Sequence, residues 1–163
     1  MPADAFLQID GIPGESTDDK HKDWIEVLSY SHGVSQSGAG SRSSGGAATS
    51  GKCTHGDFTI TKTLDKASPP LNLFCSNGTH IEKITLELCR ATGDKQPYMI
   101  YKLVDSVVSS VSVGGGGGDG IPTEKVTFNY GTIYWTYIET DHQTGKKKGE
   151  IKKFWNLIHN KGG

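Results

Sequence analysis

The chain has 163 residues, of which 17 are basic and 18 acidic, so its formal net charge is −1 at pH 7. This is the length of one ordinary domain that can bury a core without disulfides. A near-neutral charge excludes a strong long-range attraction to nucleic acid or to an anionic membrane. We therefore expect a single domain over residues 1–163 that has no nucleic acid partner.

The N-terminus and the cysteines bear on the cellular compartment. No charged region followed by an apolar stretch opens the chain, and its apolar runs are far shorter than the ~20 residues that cross a bilayer. The three cysteines, Cys53, Cys75 and Cys89, are an odd number without paired spacing, which indicates free thiols. We expect folding in the cytosol and no membrane insertion, so any export needs a dedicated machine.

Alternation of apolar and polar residues predicts strands along most of the chain. The first strand carries Ala5, Leu7 and Ile9 on one face. A second runs from Trp24 to Gln36, after a polar stretch at 15–23 that is expected to be a solvated loop. Further strands are expected around Phe58 and Ile60, around Ile84, Leu86 and Leu88, and over Tyr98–Val113, Lys125–Glu139 and, after a turn at Asp141–Gly149, Ile151–Ile158.

The two long strands carry signs of curvature. In Tyr98–Val113 the odd positions form an apolar stripe that is interrupted at Asp105. In Lys125–Glu139 the apolar residues change phase at Gly131–Thr132, which predicts a β-bulge there. Bulges of this kind bend strands around barrels.

One segment breaks the strand pattern and predicts a short helix. Ser68 can cap it, Pro69 suits its first position, and Gly78 can end it in the left-handed conformation. Apolar residues at Leu71, i+3 and i+4 give it one apolar face. The order of strands around a single helix excludes the alternating crossovers of a parallel sheet. The pattern indicates a mainly β, antiparallel fold, either a barrel or two packed sheets.

Residues 45–53 resemble a nucleotide-binding P-loop, with Cys53 where a hydroxyl should bind magnesium. A working P-loop leads into a helix whose amides hold the phosphate, whereas a strand-like segment follows here. The glycines at 115, 117 and 120 match a dinucleotide pattern in letters, but a strand follows there too. We interpret both as chance matches in glycine-rich loops.

The remaining reactive residues form no recognisable site. Cys53 and His55 lack a second pair of metal ligands, and His21, His32 and His80 are expected to pack or cap locally. The sequence contains no nucleophile motif, so we expect no catalytic residues, no enzyme activity, no cofactor and no metal.

A row of small polar residues lies on the second predicted strand, at Ser29, Ser31, Gly33 and Ser35. Such a row borders a water-filled passage or allows another chain to approach, and ordinary surface is the alternative. A Ser/Gly-rich loop at about 37–54 follows and is expected to be flexible.

Several longer segments resemble the Hcp family, the haemolysin-coregulated proteins of bacterial type VI secretion. They are FLQIDGIPGES at Phe6–Ser16 with Asp18 and His21 following, WIEVLSYSHGVSQ at Trp24–Gln36, FTITKTLDKASPPL at Phe58–Leu71, CSNG at Cys75–Gly78, LVDSVVSSVSVGGGG at Leu103–Gly117, EKVTFNY at Glu124–Tyr130 and FWNL at Phe154–Leu157. They follow one another in order over nearly the whole chain, so the resemblance is far more specific than the short motifs above.

The resemblance implies an antiparallel β-barrel of two sheets with one short α-helix, assembled as homohexameric rings that stack into the inner tube of a contractile injection machine. It also implies a contractile sheath, a spike trimer and small effector proteins as partners. Such a protein folds in the bacterial cytoplasm and is then secreted through the type VI system. Ser29, Ser31, Gly33 and Ser35 would then line the lumen. The loop at about 37–54 would be the ring-stacking arm, with Ser41, Arg42, Gly46, Thr49, Lys52 and Cys53 as its contact residues.

Two other functions stay open. A monomeric ligand-binding β-barrel without catalytic activity would have the mass of one subunit. A nucleotide-dependent enzyme using Lys52 would lose nucleotide affinity on Lys52→Ala.

Overall fold

The computed structural model describes residues 3–36, 53–90, 96–118 and 120–163. These ranges contain eleven strands and one helix. The strands are β1 (Ala3–Ile9), β2 (Ile25–Val27), β3 (Ser29–Ser31), β4 (Val34–Ser35), β5 (Thr54–His55), β6 (Phe58–Thr63), β7 (Ile81–Arg90), β8 (Pro97–Gly114), β9 (Thr123–Thr140), β10 (Lys147–Asn156) and β11 (Lys161–Gly162). The helix, α1 (Ser68–Asn77), lies between β6 and β7 in the chain.

The strand order returns to its starting point, which makes the sheet a barrel. Neighbouring strands in the described ranges are antiparallel, in the order β2–β1–β7–β8–β9–β6–β3. A single residue, Leu28, connects β2 to β3, and its amide donates to the carbonyl of Thr61 in β6 at 2.8 Å. Buried apolar side chains such as Phe58, Phe128 and Ile133 fill the interior. The expected antiparallel, mainly β barrel is confirmed.

Two long strands, β8 and β9, pair with each other along most of their length in the nine-stranded sheet. The first half of β9 pairs with β6, and its second half pairs with β10. Both strands exchange the face that they present to the core at the same level, at Asp105 and Gly131. In β8 the buried residues are Leu103 before this level and Val108 after it. Val107, which was expected in the same apolar stripe as Leu103, therefore lies on the opposite face.

The phase change predicted at Gly131–Thr132 is confirmed, but a bulge in the pairing of these strands is not its cause. Asp105 has a φ of +56° and stands opposite Gly131, and the register is the same on both sides of this level. A Cβ on Gly131 would lie 3.2 Å from the Cβ of Asp105, so glycine permits the close approach. The register shift between these strands lies further along, between Val108 and Ser110.

The second predicted strand, Trp24–Gln36, is three short strands. Ile25 and Val27 of β2 are buried, whereas Leu28 is 63% exposed and the serines of β3 are exposed as well. The alternation therefore slips by one residue at Leu28, where the chain leaves β1 and joins β6. The predicted single strand over Trp24–Gln36 is therefore wrong in its continuity.

The helix packs its apolar face, centred on the buried Leu71, against the barrel. Its N-cap is Ala67 rather than the predicted Ser68, because the Ser68 hydroxyl donates instead to a carboxylate oxygen of Glu124 at 2.7 Å. The predicted C-terminal end is confirmed, since Gly78 has a φ of +67° in the left-handed region.

A buried ion pair anchors the start of the helix to the barrel wall. Lys62 of β6 and Glu124 of β9 are 0% and 1% exposed, and the Lys62 Nζ donates to the Glu124 Oε1. The same Nζ lies 2.8 Å from the Asp65 Oδ1 and donates to the Ser68 Oγ at 3.2 Å. Shared donors and acceptors of this kind are what make a buried charge pair tolerable.

The last long strand is shifted from its predicted position. β10 begins at Lys147 rather than Ile151 and ends at Asn156 rather than Ile158. The turn is correspondingly shorter than the predicted Asp141–Gly149, because the residues after it already pair with the end of β9.

Candidate functional site

The exposed serines of β3 belong to a wider polar surface. Ser29 and Ser31 stand opposite Thr61 and Thr59 of β6, while Tyr30 between them stands opposite the buried Ile60 and stacks on Phe58, although it is 39% exposed. Side chains alternate along a strand, so these four hydroxyls share the outward face of the barrel.

The same two rows continue across β9 and β8. One row consists of Ser31, Thr59, Thr127 and Ser110, and the other of Ser29, Thr61, Lys125 and Ser112. We call these eight residues the hydroxyl face. All of them except Lys125 carry a short, neutral hydroxyl side chain, so the surface is polar without being strongly charged.

Hydrogen bonds order one end of the hydroxyl face. The Oγ of Ser110 lies 2.6 Å from the Oγ1 of Thr127, which also lies 2.7 Å from the Oγ of Ser109. Ser109 in turn donates to the Asp57 Oδ2 at 2.7 Å, and the Asn129 Nδ2 donates to the Asp57 Oδ1 at 3.1 Å. Such a surface can exchange hydrogen bonds with water or with a polar partner without a fixed charge pattern.

The other two candidate lumen residues lie apart from these rows. Ser35 belongs to β4, which pairs with β5 in a separate two-stranded sheet. Gly33 is exposed, and its carbonyl accepts from the amide of Gly56 at 3.0 Å. The structure therefore places Ser29 and Ser31 together and Gly33 and Ser35 beyond them, toward the β4–β5 sheet.

Most of the predicted ring-stacking residues lie outside the described part of the chain. These are Ser41, Arg42, Gly46, Thr49 and Lys52. Cys53 is described: it is half-buried at the start of β5, and its thiol faces the carbonyl of Thr54 at 3.9 Å. Because β4 and β5 pair antiparallel, the chain leaves and re-enters the described structure at one place.

A contact between His32 and Tyr130 supports the paired strands β4 and β5. The Tyr130 hydroxyl donates to the carbonyl of Gly56 at 3.0 Å and lies 2.7 Å from the His32 Nε2. A carbonyl can only accept, so the Tyr130 hydroxyl donates to Gly56 and accepts a hydrogen bond from the Nε2–H of His32. Burial, followed by the nearby His55, lowers the pKa of His32.

His55 is the second histidine at this place. Its ring stacks on Trp155 with centroids 6.4 Å apart, and its Nδ1 is buried without a hydrogen-bond partner among the described residues. Burial lowers the pKa of His55 as well. The paired strands β4 and β5, which we call the β4–β5 root, thus contain or contact two histidines, His55 and His32, whose neutral form is favoured.

A third histidine, His21, is buried and lies against β7. Its Nδ1 is 2.7 Å from the Asp18 Oδ2, and its Nε2 is 2.8 Å from the Glu87 Oε1. Phe6 stacks parallel to the ring at 4.2 Å, and Trp24 meets it edge-on at 4.7 Å. This confirms the expectation that His21 packs locally.

The loop that carries His21 covers the thiol of Cys89. Cys89 is fully buried, and its Sγ lies 3.8 Å from the His21 Nε2. Burial, together with Glu87, Asp18 and Asp4, raises the pKa of the Cys89 thiol to about 12.

This cluster could not be recognised in the sequence, because its residues come from a loop and a strand 66 positions apart. The polar stretch 15–23 was expected to be solvated, yet Ser16 and His21 are buried in it. Backbone hydrogen bonds close the loop, such as that from the amide of Ser16 to the carbonyl of Trp24 at 3.0 Å. The segment is a loop with mostly exposed side chains, as expected, and the exceptions are Ser16 and His21.

Comparison with known proteins identifies the family. Residues 6–137 match the family model described as "Type VI secretion system effector, Hcp". The protein hcp1 of Pseudomonas aeruginosa is 38% identical over 161 residues, which are 98% of either chain. A solved structure of a type six secretion system protein has a TM-score of 0.89 and 36% identity, covering 99% of this chain and 100% of that one. Hcp1 from Salmonella typhimurium has a TM-score of 0.79 and 32% identity, covering 99% of each chain.

The described part of the chain contains no helix that is both long and apolar enough to span a bilayer. A match to four fifths of the chain, with a relative well above 30% identity over its whole length, establishes the relationship that the sequence segments indicated. The chain therefore belongs to the Hcp family of secreted, structural proteins of the type VI secretion system.

Proposed function

We propose that the chain is a tube subunit that closes into homohexameric rings, which stack into the inner tube of a type VI secretion system and carry small effector proteins in their lumen. The contractile sheath and the spike trimer are its further partners in this proposal. The hydroxyl face is the observation that carries it.

A channel wall that must hold and release different proteins needs weak contacts. The hydroxyl face presents short side chains that lose little rotamer entropy and form neutral hydrogen bonds, each worth only ~1 kcal/mol net. One cation, Lys125, lies within the two rows, and one carboxylate, Asp57, lies beside them. This composition supports an assignment of the face to a water-filled lumen, with Ser29 and Ser31 as cargo contacts.

Subunit contacts need a different kind of surface, and the outer sheet offers one. Tyr137 of β9 and Ile151 of β10 are cross-strand partners, 45% and 61% exposed. β11 pairs with Trp155 and Asn156, and Gly163 after it exchanges backbone hydrogen bonds with Phe154, so the edge of β10 before Phe154 is unpaired in the described chain. Exposed apolar side chains beside an open strand edge favour contact with another copy.

The β4–β5 root suits an arm that reaches a neighbouring ring. Ordering a Ser/Gly-rich arm costs roughly 1 to 2 kcal/mol per residue of backbone entropy, so one ring-to-ring contact should be weak. A closed ring, by contrast, uses every subunit interface. We infer that rings are stable alone and that tubes need a template or a high local concentration.

The decisive experiment is the mass and shape of the purified protein. We expect native mass spectrometry to give six times the 17.5 kDa subunit mass, and negative-stain microscopy to show annuli with an open centre. A particle that stays monomeric at every concentration, or one with a solid centre, would contradict the proposal. The packed interior of the barrel already disfavours the alternative of a monomeric ligand-binding barrel, because ligand-holding barrels keep an internal cavity.

A further inference from the structure

We propose that His21, Glu87 and Cys89 form a binding site for one divalent metal ion of the zinc class. The ligands are an imidazole nitrogen, a carboxylate oxygen and a thiolate sulfur, a mixed set that zinc and cobalt accept. The proposal does not depend on ring formation, since all three residues belong to one chain.

The three ligand atoms already converge. The His21 Nε2 lies 2.8 Å from the Glu87 Oε1 and 3.8 Å from the Cys89 Sγ, and all three atoms are within 4.8 Å of one another. Zinc binds nitrogen and oxygen at ~2.0–2.2 Å and sulfur at ~2.3 Å, so tetrahedral ligand atoms lie about 3 to 4 Å apart. A small movement of the partly exposed Glu87 carboxylate is enough to admit the ion.

The surroundings of His21 match the support that metal-binding histidines usually have. Asp18 accepts from the Nδ1 at 2.7 Å, which leaves the Nε2 to face the other two ligands. Phe6 stacks on the imidazole with an interplanar angle of 5° and fixes the plane of the ring. The carboxylate–histidine arrangement is therefore built before any ion arrives.

Carboxylates surround the three ligand atoms. Asp18 and Glu87 lie within hydrogen-bond distance of His21, and Asp4 and Asp18 act on the Cys89 thiol together with one cation, Lys20. A divalent cation entering between Glu87 and Cys89 would therefore meet more negative than positive charge.

Strand geometry explains why these residues share one side. Glu87 and Cys89 are two positions apart on β7, so both face away from the core, and the loop that carries His21 closes over them. A bound ion would fasten this loop to the barrel wall.

Cobalt(II) is the probe that tests the site. We expect the chelator-treated, full-length protein to take up one equivalent of Co²⁺ with a thiolate-to-cobalt charge-transfer band in the near ultraviolet, and Zn²⁺ to displace it. Glu87→Gln should weaken Co²⁺ binding at least tenfold, and Cys89→Ser should abolish the band. Cys75→Ser removes a half-buried thiol of the helix and should change nothing.

The proposal is overturned if the wild-type protein shows no cobalt–thiolate band, or if the band survives Cys89→Ser and disappears in Cys53→Ser, which would place binding at Cys53 and His55. If Cys89→Ser does not fold, Glu87→Gln decides: unchanged cobalt affinity in this variant contradicts the site. Zn²⁺ should also raise the Tm of the wild-type protein and of Cys75→Ser, and leave the Tm of folded Cys89→Ser unchanged.

Discussion

His32 and Tyr130 form a directed hydrogen bond, 2.7 Å long, in which the imidazole donates and the phenol oxygen accepts. The direction follows because the Tyr130 hydroxyl donates its own proton to the carbonyl of Gly56. The bond joins the chain just after β3 to β9, directly beside the β4–β5 root. Protonation of His32 at Nδ1 would leave this bond in place, so the pH dependence here comes from the burial of the two imidazoles, His32 and His55.

Acid should weaken the fold by placing a positive charge on the partly buried imidazoles of His32 and His55. The folded-state pKa values of His32 and His55 are lowered, so their contribution to stability is present above the unfolded value of about 6.5 and is lost as the pH falls below it. Urea unfolding should give a smaller free energy of unfolding at about pH 5 than at about pH 7. His32→Gln, which can still donate to Tyr130, should flatten this dependence, whereas the exposed His142→Gln should not. Equal pH dependence in both variants would refute the assignment.

Breaking the buried ion pair from one side should be costly. Glu124→Gln leaves the Lys62 ammonium, 0% exposed, without its main counter-charge, and we expect a loss of about 3 to 5 kcal/mol in the free energy of unfolding. The double variant Lys62→Met, Glu124→Leu should lose clearly less, because no fully buried charge remains and the Asp65 carboxylate that loses its ammonium partner is 14% exposed. Denaturant titration measures both. A double variant less stable than the single one would show that the ion pair itself supplies the stability.

Enlarging a side chain on the hydroxyl face should affect cargo and not assembly. Ser31→Gln adds bulk beside Thr59 without adding charge, so we expect rings of unchanged mass that retain less effector in a co-purification assay. Ser76→Gln, at an exposed position of the helix, is the matched control and should retain effector normally. Rings that fall apart in Ser31→Gln would instead place Ser31 at a subunit contact.

Charging the exposed apolar pair should prevent ring closure. Ile151→Asp puts a carboxylate beside Tyr137, and we expect monomers at concentrations where the wild-type protein is hexameric, measured by light scattering. Leu73→Asp makes the same substitution at a similarly exposed residue, 58% against 61%, on the helix instead of the sheet. If Leu73→Asp dissociates the rings and Ile151→Asp does not, the interface lies on the helix side.

Much of this fold could be predicted from the sequence because its strands are half-buried and alternate. Leu7 with Ile9, and Ile84 with Leu86, are buried as their period of two predicted. The left-handed conformation of Gly78 was also predictable, because glycine is preferred at the position that follows the end of a helix.

What the sequence could not predict depends on contacts between distant segments. The slip at Leu28 arises because the chain changes its pairing partner there, which no local pattern records. Asp105 was seen only as an interruption, since its meaning comes from Gly131 on the neighbouring strand. Ser68 was predicted as a helix cap, but its hydroxyl donates a hydrogen bond to Glu124 of β9, which is distant in sequence.

The candidate site divides in the same way. Ser29 and Ser31 were predicted as small polar positions, but the rows that join them to Thr127 and Ser110 exist only through strand register. The assignment of Ser29 and Ser31 to a lumen stays a prediction, and so does that of Gly33 and Ser35. The cluster around His21 could not be predicted, because no spacing connects a loop residue with Glu87 and Cys89.

β8 and β9 exchange their core-facing sides at the same level, at Asp105 and Gly131, and this arrangement has a mechanical consequence. β8 and β9 run past this level without interruption, and they stay paired with each other on either side of it. A thrust applied to one half of the subunit is therefore transmitted to the other along two unbroken backbones. Pulling the halves apart along these strands would load many backbone hydrogen bonds in shear at once, rather than peeling them one by one. A subunit of the proposed tube would gain resistance to rupture from that geometry.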